Sequence, residues 1–178
     1  MENNKNLCKF IKKIIAVSYA SSLVDLKINK NLETILLYPT NDLFLTQQQY
    51  KTLWQFLNIV GESKCYLTQF DNVESGIDSE TNTFLCIHNN LSYNEYLDFN
   101  LFSLSMLLSE KGRWAIFIEE TLEDGIGLFI ADKKYMDIFK NCYLDYCRDL
   151  THYQEDIKKF HNFTNDEYCI KLMKLLSM

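Results

Sequence analysis

Residues 119–124, EETLED, crowd four carboxylates (Glu119, Glu120, Glu123 and Asp124) into six positions, and Gly125-Ile126-Gly127 follows at once. Paired carboxylates work as general acid and base when burial drives their pKa values apart. Four acids at an exposed turn stay solvated and lack the burial that such a role requires. The glycines do not complete a dinucleotide-binding loop. That fingerprint needs a third glycine where Ile130 stands, and it opens a helix, whereas GIGLFIAD reads as a strand. A turn explains Gly125, and a bulge or close backbone approach explains Gly127.

Thiols and imidazoles form two further sets. Cys142, Cys147, His152 and His161 read C-x4-C-x4-H-x8-H. On a continuous helix each five-residue step turns by about 140°, so successive ligands point to different sides and a zinc site requires the helix to break. The expectation is no metal and no cofactor. Cys86 and His88 share one face of a strand, at a spacing expected to leave nucleophile and base without close contact. No G-x-S-x-G, Walker loop or H-E-x-x-H occurs, so no residue is assigned a catalytic role.

Charge is the more informative signal. Residues 71–83, DNVESGIDSETNT, carry Asp71, Glu74, Asp78 and Glu80 with no cation. With Glu119, Glu120, Glu123 and Asp124 they sum to −8, against −6 for the whole chain, so the remainder is +2. The negative charge is concentrated in two turns. An acidic chain with only two arginines, Arg113 and Arg148, repels nucleic acid and anionic membranes and favours a basic protein partner. These eight acids are the candidate partner-binding residues.

The elements that must position them follow from periodicity. The 178 residues suit one domain, with 47% hydrophobic content for a core and a single proline, Pro39. Leu7, Phe10, Ile11, Ile14 and Ile15 fall at helical spacing, which favours an amphipathic helix over a signal peptide. No stretch approaches a membrane span. The six cysteines are dispersed among apolar neighbours, as expected of reduced thiols in a cytoplasmic protein, where the sequons at Asn90 and Asn162 carry no glycan.

ETILLY (33–38) reads as a strand. A helix follows from a Thr46 cap with Gln49 three residues on, ending at Gly61. KCYLTQF (64–70) and TFLCIH (83–88) read as a strand pair across the acidic 71–83 stretch. Ser92 and Glu95 repeat the capping-box spacing before YNEYLDFNLFSLSMLLSEKG, which predicts a buried central helix ended by Gly112. RWAIFIEE and GIGLFIAD form a hairpin, with Asp124-Gly125 at its turn. Helical periodicity runs from Asp132 onward. The expected fold is α+β, with an antiparallel or mixed sheet of about five strands covered by helices, in one domain over 1–178.

In small size, acidic balance, dispersed thiols, a motif-poor α+β domain and the stretch GRWAIFIEETLEDGIGLFIADKKYMDIF, the chain resembles the immunity proteins of bacterial polymorphic-toxin and contact-dependent growth inhibition systems. The resemblance covers its second half and carries over no residue roles. It implies a non-catalytic inhibitor of a cognate toxin domain, commonly a basic nuclease, in the cytoplasm. The alternatives are a small cytosolic enzyme with an unrecognised active site and a scaffold subunit. Oligomeric state is not specified by the sequence. Rapid alkylation followed by unfolding is expected to label all six cysteines, and an intramolecular disulfide would restore the secretory reading.

Overall fold

The structure is a computed structural model that describes residues 2–15, 22–69, 83–102, 104–120, 125–143, 147–148, 170–172 and 174. Its elements are α1 (Glu2–Ile14), β1 (Glu33–Thr40), α2 (Gln47–Val60), β2 (Lys64–Gln69), β3 (Leu85–His88), α3 (Tyr93–Leu97), β4 (Ser105–Ser109), β5 (Trp114–Glu120), β6 (Gly125–Ala131), α4 (Lys133–Cys142) and the two-residue β7 (Cys147–Arg148). The strands form one sheet in the order β3-β2-β4-β5-β6-β1-β7, and every pairing is antiparallel. The α+β expectation holds, with seven described strands in place of about five.

Sidedness follows from alternation along the strands. In β5, Ala115 and Phe117 face the layer formed by α1, whose Leu7, Ile11 and Ile14 are buried against them, with Leu172 in the same cluster. Trp114, Ile116 and Ile118 face the other layer, where α2, α3 and α4 pack. All residues of β4 and β6 are buried, as are the first five of β5.

This two-sided burial corrects the reading of residues 93–112. The capping box at Ser92 and Glu95 is present, but α3 ends at Leu97 and SMLLS is a central strand. A continuous apolar run suits a helix buried all round and a strand covered on both faces equally well, and its period does not separate them. β7 is the other strand that the sequence did not suggest. It lies within the region from Asp132 onward read as helical, of which α4 and residues 170–172 are helical.

The start and stop signals of α2 act as read. Thr46 Oγ1 accepts from Gln49 N, Gln49 Oε1 accepts from Thr46 N, and Gly61 closes α2 at φ 71°. The fully buried Gln49 also donates to Pro39 O at 2.8 Å, fixing the helix start on β1. Gly125 has a different reason from the expected turn. It pairs with Glu120 and Thr40, and a Cβ there would collide with Asp42 O and Thr40 Oγ1, so close approach by the irregular end of β1 demands glycine. At Gly127 the added Cβ would lie 3.0 Å from Leu37 Cβ, as close approach predicts.

The α2 and α4 layer is anchored by aromatic rings. Phe56 meets Trp114, Phe129 and Phe139 edge-on at 5.6, 5.7 and 5.4 Å. Each such pair contributes about 0.5–1.5 kcal/mol beyond area burial. Trp114 is fully buried, and its Nε1 has no partner among the described residues. Trp114→Ala is therefore expected to cost about 3–5 kcal/mol in urea unfolding. Trp114→Phe keeps a ring and removes the orphan donor, so its cost should be well below that of the alanine variant. Equal losses would contradict this packing.

Candidate functional site

The ladder brings the ends of β2 and β5, after which the two acidic stretches follow in the chain, to one end of the sheet. Gln69 lies opposite Ser105, Ser105 opposite Ile118, and Gly125 opposite both Glu120 and Thr40. The chain therefore leaves β2 and β5 at the same end with β4 between them, on the order of 10 Å apart at ordinary strand spacing. Asp71, Glu74, Asp78, Glu80, Glu123 and Asp124 lie outside the described residues. Exposed Asp42 follows β1 at this end with φ 50°, in a turn closed by reciprocal backbone bonds between Asn41 and Phe44.

The two described acids of the β5 end differ. Glu120 is exposed, whereas Glu119 is half-buried and its Oε2 accepts from Leu23 N at 2.9 Å, at the start of a 3₁₀ turn over Leu23–Asp25. Alternation explains this: Glu119 continues the face of Ala115 and Phe117, beneath the α1 layer, where an acid needs a donor. At least one of its oxygens serves the fold.

The opposite end of the sheet is built around Glu62, a residue the sequence analysis did not single out. Its carboxylate is buried at 4% exposure, accepts from Ser109 Oγ at 2.8 and 3.0 Å, and takes Glu110 N at 2.9 Å. Lys111 Nζ donates to Gly61 O, and Arg113 donates to Val60 O at 3.2 Å, so two cations cap the carbonyl end of α2. Burial pushes Glu62 above the usual carboxylate range, against the opposing hydrogen bonds from Ser109 and Glu110 and the charges of Arg113 and Lys111. An acid immediately after a helix-ending glycine carries no sequence mark of burial, which is why it was missed.

Beside this corner, Asn6, Lys9, Phe10, Lys13, Glu110 and Lys111 line an open groove of about 430 Å³ between α1 and the β4–β5 turn. Among the described residues its lining has no cysteine, histidine or hydroxyl group to serve as nucleophile. Three tyrosines tie the elements of the α2, α3 and α4 layer together: Tyr50 donates to Leu91 O, Tyr93 to Leu45 O and Tyr143 to Gln49 O.

Helix α4 does stop at Cys142 and Cys147 lies in β7, so the break that a zinc site would require is present. His152 and His161 lie outside the described residues, and among the described residues no group of three or more potential ligands could hold a metal. Cys86 and His88 come closer than their spacing predicts, with Sγ 3.3 Å from Nε2. Among the described residues no helix is long and apolar enough to cross a membrane. No protein-family model, curated protein or solved structure matches the chain.

Glu62 has a pH consequence. Its raised value in the fold means that its contribution is fully present below the ordinary carboxylate pKa and is lost as pH rises through the folded value. Glu95 is held low by its hydrogen bonds to Ser92, so its contribution is lost only as pH falls through its folded value, outside this window. Urea midpoints should therefore fall as pH rises from the ordinary carboxylate range through the folded value of Glu62, and Glu62→Gln should flatten that fall. Glu62→Leu, which strands Glu110 N, should cost about 1–3 kcal/mol. An unchanged pH slope in Glu62→Gln would contradict the assignment.

Proposed function

We propose that the protein is a non-catalytic inhibitor of the immunity type, which neutralises a cognate toxin domain by presenting the acidic end of its sheet to a basic surface on that domain. The observation that supports it is the common departure of the chain from β2 and β5, so that connections carrying −6 between them, from Asp71, Glu74, Asp78, Glu80, Glu123 and Asp124, begin at the same end of the sheet. Exposed Asp42 and Glu120 add described charge at the same end. An acidic patch of this kind steers association with a cationic nuclease groove and can occlude the groove once bound.

Charge alone gives rate more than affinity, so an anchor is also needed. Phe102 is 75% exposed and its backbone N–H donates to Gln69 Oε1, which holds it beside the end of β2. An exposed aromatic ring beside an acidic rim matches the composition of protein-binding surfaces. Localisation in the cytoplasm with the toxin-producing machinery belongs to the same proposal.

The test uses a toxin domain encoded next to this gene, measured for growth rescue and for association rate against salt. The triple variant Glu120→Lys, Glu123→Lys, Asp124→Lys should slow association by about tenfold or more and reduce its salt dependence while the domain stays folded. Glu119 must be left intact, because its carboxylate holds Leu23. A folded triple variant with unchanged rate and salt dependence would remove the acidic end from the account. A neighbouring metabolic operon with no toxin gene would favour the enzyme alternative.

A further inference from the structure

Strand β3 is the outermost described strand on its side of the sheet, and its Cys86 and His88 are exposed. Leu85 and Ile87 point to the α2 and α3 layer, which leaves Cys86 and His88 on the α1 side, both exposed. On that face Tyr66 lies opposite Cys86 and Lys64 opposite His88, and Lys64 pairs with Glu110 at 3.5 Å. Cys86 Sγ and His88 Nε2 are 3.3 Å apart, within reach for a thiol to donate to an unprotonated imidazole nitrogen.

The other thiols whose surroundings are described are poorly placed to react. Cys8 and Cys65 are buried and Cys142 is half-buried. Burial pushes Cys65 and Cys142 up, so their thiolates are disfavoured. Among these four, Cys86 alone combines access with a base in contact. A core role for the pair is excluded by the exposure of both side chains.

We infer that Cys86 is a covalent modification site for low-molecular-weight disulfides of the glutathione class, with His88 as the base that takes its proton. The thiol proton passes to His88 Nε2, and the Cys86 thiolate attacks one sulfur of the incoming disulfide. The S–S bond of that disulfide breaks as the Cys86 mixed disulfide forms, and the departing thiolate takes the proton back from His88 or from water. One disulfide is consumed and one is formed, so no other oxidant is needed. The product places a bulky polar group on the edge strand, away from the acidic end of the sheet. The inference therefore stands apart from the proposed inhibitor function.

The test is a time course of the intact protein with oxidised glutathione, followed by acid quench and peptide mass mapping. Cys86 should carry the mixed disulfide first, and Cys86→Ser should lose the fast phase. His88→Asn keeps a polar side chain of similar shape without the base, and should slow modification of Cys86 by about tenfold, since an unassisted thiol is mostly protonated at neutral pH. Circular dichroism should show both variants folded, as expected for exposed positions. Earlier modification of another cysteine, no mixed disulfide at Cys86, or an unchanged rate in His88→Asn would overturn the assignment.

Discussion

Two-sided burial of the central strands governs the molecule. Because β4, β5 and β6 offer apolar side chains to both faces, the sheet must be covered twice, by α1 on one side and by α2, α3 and α4 on the other. Hydrophobic burial is roughly proportional to the area removed from water, so leaving either face bare would forfeit a large share of the driving force for folding. Once both faces are covered, polar chemistry has room only at the strand ends and on the edge strand. The acidic connections, the Glu62 corner and the Cys86–His88 pair occupy those positions.

The two ends of the sheet are used differently. At the Glu62 end, polar groups turn inward: a buried carboxylate joins the β4–β5 turn to the segment after α2, and Lys111 and Arg113 close the helix carbonyls. At the other end Asp42 and Glu120 are exposed, and among the described acids there only Glu119 is tied back to the chain. A carboxylate with internal partners contributes to the fold, while a solvated one remains able to meet an outside charge. That contrast supports docking at the acidic end rather than at the Glu62 corner.

Much of this arrangement was legible in local chemistry. Thr46 with Gln49, Ser92 with Glu95, and Gly61 each act through their own few residues, so their roles survive in the sequence. The β5–β6 hairpin was legible because β-branched and aromatic runs flank a turn. β4 was not, since SMLLS has no polar side to reveal a period of two. Glu119 illustrates a signal that was present and not used, because alternation from Ala115 and Phe117 already assigns it to a covered face. The Cys86–His88 contact depends on side-chain direction on one twisted strand, which spacing alone does not fix.

The most direct measurement of the central claim is hydrogen–deuterium exchange of the full chain, free and bound to a toxin domain encoded beside it. The account expects new protection confined to residues 41–43, 70–82, 101–103 and 119–125, with the helices of both layers unchanged. Protection centred on α1, on α2 and α4, or along β3, with the acidic end exchanging as freely as before, would contradict it.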